Sequence, residues 1–244
     1  MENFISLSPA SKKIIKVIQL SASLNVNSMI LGPIGVGKKL LANKISSKAL
    51  KFDIKELEEF LISKKLNLDE YSEIIVFNID QALNPLELMG KLSSLKVIAT
   101  AQYVPTSLDQ HFAVKIEIPP LKDREEDLEE LIRKYEDEVS LLIDYKQKHK
   151  DIEYDLSSNA VSLKRSIFKA YLIDDIVNDD IEDVVYNYVL KRLDDDDVTY
   201  KELLATLETS LLKAVSYKYK SQLQISNKLK INRITLRKRL EKYL

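Results

Sequence analysis

The chain has 244 residues, is 45% hydrophobic, carries a net charge of −1 and contains no cysteine. That length allows one large domain or two small ones around a packed core, and the absence of cysteine excludes disulfides and thiolate metal sites. Two histidines, His111 and His149, are too few and too far apart for a histidine metal site, and no run of about 18 apolar residues could span a bilayer.

Residues 1–27 hold a periodic apolar pattern, Ile14, Ile15, Val17, Ile18 and Leu20, that predicts a helix. Ser8-Pro9 opens it, since proline suits a first helical turn. Ser28-Met29-Ile30-Leu31 reads as a short buried strand. Three of the four glycines in the chain follow within six residues, in Gly32-Pro-Ile-Gly35-Val36-Gly37-Lys38-Lys39. Glycine at these positions lets main-chain N–H groups turn toward an anion. Lys39 to Ser46 reads as the start of a helix. Strand, glycine-rich turn, lysine and helix together make the phosphate-cradling loop of a P-loop nucleotide-binding fold. Lys38 is expected on the β- and γ-phosphates. Lys39 stands where many P-loops place a Ser or Thr for magnesium.

Farther along, Phe52 and Ile54 suggest a second short strand, and Lys55–Lys65 a helix rich in Glu and Leu. Glu73-Ile-Ile-Val-Phe-Asn-Ile-Asp80 is a strongly apolar strand ending in an acidic residue. Asn84-Pro85 opens a helix through Leu92. Leu95–Thr100 and Val114–Ile118 read as further strands, the latter before Pro119-Pro120. Strands alternating with helices imply a three-layer α/β domain with a mostly parallel sheet. Residues 121–150 read as a long charged helix, and 155–193 as several helices. Asp194–Asp197 is an acidic run, read as a solvated linker, with a helix anchor or a cation site as alternatives. Residues 199–244 form a separate helical module. The charge is divided unevenly: residues 213–244 carry seven Lys and three Arg against one Glu, net +9, and residues 1–212 the remaining −10. A basic module on an acidic body points to a polyanionic partner at that end.

Several of these segments, in order, resemble the AAA+ domain of NtrC-type bacterial enhancer-binding proteins, which remodel sigma-54. Ser8–Ile18 is similar to the opening helix of that family, Gly32–Lys38 to its Walker A loop, and Val76-Phe-Asn-Ile-Asp80-Gln81 to its Walker B strand. Val97-Ile-Ala-Thr-Ala-Gln102 is similar to its sensor I strand, and Ile118-Pro-Pro-Leu-Lys-Asp-Arg124-Glu-Glu-Asp127-Leu to its LPPLRxRxEDI segment. The resemblance spans roughly residues 5–170. Ile231-Asn232-Arg233-Ile-Thr235-Leu236-Arg237-Lys238-Arg239-Leu240 is similar to the Fis-type helix-turn-helix. There Ile231, Leu236 and Leu240 pack inward, while Asn232, Arg233, Thr235, Arg237, Lys238 and Arg239 face bases and phosphates.

The resemblance implies an AAA+-like domain over 1–150, a helical lid-like region and acidic linker over 151–198, and a Fis-type DNA-binding module over 199–244. It implies ATP or ADP held by Gly32, Gly35, Val36, Gly37, Lys38, Lys39, Asp80, Gln81 and Gln102, with Asp80 able to bind magnesium. The departures fall on catalysis. Only 41 residues separate Lys38 from Asp80, they include no glycine, and nothing among them resembles the GAFTGA loop that grips the sigma factor. Gln81 replaces the Glu that polarises water, and a neutral amide is no base. Gln102 stands at the usual sensor I Asn, and Ser107–Val114 holds no arginine for a finger. Aligning WPGNVREL on Leu156–Leu163 puts Val161 at the sensor II arginine. The receiver domain common in the family has no counterpart in this sequence.

The expectation is a degenerate ATPase scaffold that binds nucleotide, regulates transcription by binding double-stranded DNA, and dimerises through its C-terminal module. Two alternatives stand beside it. One is a working ATPase that remodels a partner other than sigma-54, its base supplied by Glu73 or a neighbouring subunit. The other is a DNA-tethered scaffold whose acidic body (Asp174 to Asp197) docks a protein. No signal peptide is expected, since no basic start precedes an apolar stretch, and a cytoplasmic, bacterial setting without membrane contact fits the composition.

Overall fold

A computed structural model describes residues 3–63, 67–143, 152–195 and 197–244. His149 and Asp196 lie outside the described residues. By contacts the chain divides into two compact units, residues 1–175 and 176–244.

The first unit is built on five parallel strands in the order β2-β3-β4-β1-β5. They are β1 (Ser28–Leu31), β2 (Leu50–Asp53), β3 (Glu73–Phe77), β4 (Lys96–Ala101) and β5 (Val114–Glu117). Parallel strands covered on both faces read as near-continuous apolar runs, and β3 and β4 do so. Ile74 and Val76 point to one face with Met29, Val97 and Ala99. Ile75 points to the other with Ile30, Ile98 and Ile116. The first face is covered by α3 (Ile54–Ile62) and α4 (Pro85–Lys91), and the second by α1 (Pro9–Ser23) and α2 (Lys38–Ile45). The sheet is thus wholly parallel, and the three-layer α/β fold is present.

Element ends differ from the sequence reading in physically simple ways. Ile54 starts α3 because the Asp53 side chain accepts the Lys55 N–H and caps the helix. β3 stops at Phe77, three residues short of Asp80. Asn78 takes a left-handed conformation (φ 59°), and Ile79–Gln81 make a tight 3-10 turn. Ile79 is fully buried in that turn, which is why the apolar run continued past the strand. Ile118 follows the end of β5.

After Pro120 a 3-10 turn (Leu121–Asp123) leads into α5 (Glu125–Leu142); residues 144–150 of the helix expected over 121–150 lie outside the described residues. α6 (Ala160–Asp175) packs on α5, burying Tyr135, Val139, Leu163, Ile167 and Tyr171 around Leu121. The second unit holds α7 (Asn178–Arg192), α8 (Tyr200–Lys218), α9 (Gln222–Leu229) and α10 (Arg233–Tyr243). Thr199 and Glu202 form a reciprocal cap at the start of α8. Leu212, Val215, Ile225 and Leu236 form the small core of α8–α10.

Candidate functional site

The glycine-rich loop lies between the end of β1 and the start of α2, at the carboxyl ends of the strands. Gly35 (φ +79°) and Gly37 (φ +102°) occupy conformations that residues with a side chain rarely adopt. A Cβ on Gly35 would lie 2.0 Å from the Ser158 carbonyl oxygen. The loop is thus pressed against the segment that opens α6, and the Ala160 N–H donates to the Gly35 carbonyl at 3.2 Å.

Asn159 holds this junction. It is 5% exposed and left-handed (φ 52°). Its Nδ2 donates to the Ile34 carbonyl at 2.8 Å, and its Oδ1 accepts the Leu121 N–H at 2.7 Å. One side chain therefore ties the P-loop, the turn before α5 and the start of α6 together.

A buried ion pair fastens the other side of the loop. Arg124 Nη2 donates to the Val36 carbonyl at 3.3 Å, while Nη1 reaches Asp127 Oδ2 at 3.4 Å. Asp127 in turn accepts the N–H groups of Leu7 (2.6 Å) and Ser8 (2.9 Å) and the hydroxyls of Ser8 and Ser11, so it fixes the start of α1. Burial lowers the pKa of Arg124, partly offset by Asp127. Burial alone would raise that of Asp127, but the Ser11, Ser8 and Leu7 donors outweigh it and hold the carboxyl below its usual range. A depressed carboxylate adds stability that is complete above the unfolded value and is lost as pH falls through the folded one. Asp127→Asn is expected to lose about 2 kcal/mol at neutral pH, and to show a flatter loss of stability than the parent below about pH 4, as read by thermal melts across that range.

Lys38 folds back on the loop. Its Nζ donates to the carbonyls of Gly32 (2.5 Å) and Pro33 (2.8 Å). Burial lowers its pKa, and the Asp80 charge partly restores it. Asp80 Oδ2 accepts the Gln102 N–H at 3.3 Å, and its Oδ1 is buried without a hydrogen-bond partner. The fold therefore brings Lys38, Asp80 and the main chain of Gln102 together. Gln81 follows Asp80 at the exposed end of the 3-10 turn. The Ser107–Val114 region is mostly a 3-10 turn, Thr106–His111. Glu73 sits at the far end of β3, 3.2 Å from Lys96, so it cannot serve as a base at the loop.

In front of the P-loop lies a cavity of about 730 Å³. Its walls come from the loop, the segment Asn3–Ile5, α5 and α6. Phe4, Ile5, Leu131, Tyr135 and Val161 give an apolar wall. Lys134, Lys164 and Arg165 add cations that the sequence reading did not single out. Val161 does line the cavity, in the first turn of α6, and Lys164 and Arg165 follow it by three and four residues, one helical turn on. That spacing from Val161 was the available signal.

In the second unit, α9 and α10 are joined by Lys230–Asn232. The Ser226 hydroxyl donates to the Ile231 carbonyl at 2.8 Å and locks this turn. Leu236 is fully buried, with Ile231 and Leu240 packed beside it. Asn232 caps α10, its Oδ1 accepting the Ile234 N–H at 2.8 Å. Arg233, Thr235, Arg237 and Lys238 are exposed on the first turns of α10. Arg237 pairs along the helix with Glu241 at 2.8 Å, and Arg239 reaches Glu208 of α8 at 2.9 Å.

No protein-family model and no curated protein matches the chain. Among solved structures it is similar to NtrX from Brucella abortus in complex with ATP, with TM-score 0.61 and 14% identity over 100% of this chain and 69% of that one. The same protein in complex with ADP gives TM-score 0.57 and 14% identity over 98% and 68%. A third NtrX structure gives TM-score 0.60 and 14% identity over 98% and 69%. At this identity the likeness shows the fold alone, a five-stranded parallel α/β sheet with flanking helices and a helical C-terminal region.

Proposed function

We propose that the chain is a DNA-binding regulator on a nucleotide-binding AAA+-like scaffold that retains ATP or ADP and hydrolyses it poorly. One observation carries the nucleotide half. Among the described residues lining the cavity there is a single carboxylate, Asp127, and it is already committed to Arg124 and the start of α1. A cation-rich cavity whose one lining carboxylate is engaged supports binding, and Asp80, which acts on Lys38, is followed by the amide Gln81 where a water-activating Glu would stand. NtrX, crystallised with ATP and with ADP, supports the same reading.

The DNA half rests on α9 and α10. Their turn is rigid, and α10 presents Arg233, Thr235, Arg237 and Lys238 to solvent from its N-terminal half, the arrangement of a helix that enters the major groove. Phosphate contacts give most of the affinity, which falls with salt. The regulator acts as a homodimer. α7 buries no side chain and exposes Ile181, Val184 and Tyr188 along one stripe, and α8 exposes Leu204, Leu207 and Leu211 at the same spacing. These stripes are the surface a second copy covers. Two recognition helices then read half-sites about 34 Å apart.

The test is selection of bound sequences from a random duplex pool, followed by titration of variants on the winner. Arg233→Ala is expected to lower affinity for the selected site by about 1–3 kcal/mol, with little loss on random duplex. Lys238→Ala is expected to weaken both equally. Equal losses on both duplexes for both variants would leave the module a nonspecific anchor and overturn the regulator reading.

A further inference from the structure

We propose that the P-loop binds its nucleotide without magnesium, the Lys39 ammonium supplying the positive charge that a metal ion brings to other P-loops. The inference rests on the nucleotide-binding reading above and goes beyond it in saying what form of nucleotide is bound.

The residues present do not fit a magnesium site. Position 39 follows the P-loop lysine, where a Ser or Thr hydroxyl otherwise ligates the ion. An ammonium offers three donors and no acceptor, so Lys39 cannot ligate a cation and repels one. The carboxylate side is equally thin. Asp80 has one oxygen engaged by the Gln102 N–H, and its other oxygen, buried without a hydrogen-bond partner, lies in the field of Lys38. Residue 81 supplies an amide. Among the described residues, no group of three or more His, Asp or Glu side chains could hold a metal. Magnesium demands a near-octahedral oxygen shell, normally with one or two carboxylates beside the phosphates. Here the carboxylate at hand is Asp80, one of its oxygens is already engaged, and the Lys38 charge acts on it.

The same features fit a metal-free polyphosphate. Lys39 is the second residue of α2 and lines the cavity beside Lys38. Its Nζ lies 4.8 Å from the centroid of the Phe77 ring, at the end of β3 next to Asn78, which lines the same cavity. The cation rests on an aromatic face, a weak attraction that it can surrender to a phosphate. Lys134 and Arg165 approach from α5 and α6, and Lys164, paired with Glu138 at 2.7 Å, stands beside them. Cations converging in a concave site focus positive potential and neutralise phosphates that would otherwise need a metal partner.

The experiment is titration of the full chain with ATP by calorimetry, once in excess EDTA and once in excess magnesium. Lys39→Thr restores the hydroxyl, and Lys39→Met keeps the stem without the charge. Parent Kd values are expected to agree within about threefold between the two buffers. Lys39→Thr is expected to bind about 10–100-fold more weakly in EDTA and to recover with magnesium, and Lys39→Met to stay weak in both. Circular dichroism confirms that the variants fold. If the parent requires magnesium, or Lys39→Thr binds equally well in EDTA, the inference falls and the nucleotide-binding reading stands. If the parent binds ATP in neither buffer, both fall.

Discussion

Gly35→Ala is expected to destabilise the first unit by about 4–5 kcal/mol and to abolish ATP binding, an extreme effect for one methyl group. Two costs coincide. Alanine at φ +79° pays backbone strain of about 1–3 kcal/mol. The added Cβ would also sit 2.0 Å from the Ser158 carbonyl oxygen, a backbone atom that no rotamer change can move. Relief requires the loop and the start of α6 to part, which breaks the Ala160-to-Gly35 hydrogen bond and opens the cavity. Gly90→Ala is the matched control. Gly90 lies inside α4 with nothing within 4 Å of its Cβ position, so alanine there is expected to be neutral or stabilising by about 0.5–1 kcal/mol. Thermal melts and ATP titration of the two variants separate a local steric effect from a general intolerance of substitution.

Asn159→Ala is expected to cost about 3–5 kcal/mol and to weaken ATP binding at least tenfold. The substitution leaves the Leu121 N–H and the Ile34 carbonyl without partners in a buried place, each worth about 1–3 kcal/mol. It also puts alanine at φ 52°, where asparagine is tolerated. Asn159→Asp keeps the acceptor for Leu121 and loses the donor to Ile34, so it is expected to retain about half the stability and to bind ATP worse than its stability alone would suggest. A variant series in which binding tracks stability alone would show that Asn159 holds the fold together without shaping the loop.

The P-loop was legible because its signal is local: an apolar strand, three glycines and a lysine within a dozen residues need no tertiary information. The parallel sheet was legible for the same reason, since strands buried on both faces write continuous apolar runs. The end of β3 was not, because Ile79 is as buried in its turn as Ile75 is in its strand, and burial carries no sign of where a strand stops. The walls of the cavity were the least legible. Lys134, Lys164 and Arg165 sit on helices whose charged faces look like any solvated surface until α5 and α6 are packed against the loop. Phe4, whose ring would meet a Cβ on Gly37, comes from an irregular segment with no periodicity. Asn159 stood in the segment most loosely aligned with WPGNVREL, and its two hydrogen bonds join positions 125 and 38 residues away, which sequence spacing cannot report.

The proposed scaffold holds nucleotide without turning it over. Labelled ATP, incubated with the full chain with and without duplex DNA, tests it most directly, binding and phosphate release being followed in the same samples. Saturable ATP binding that Lys38→Ala removes is expected, with no phosphate release above the protein-free rate in either condition. Sustained release that Lys38→Ala abolishes would contradict it, and would mean that a base outside the described cavity completes a working ATPase.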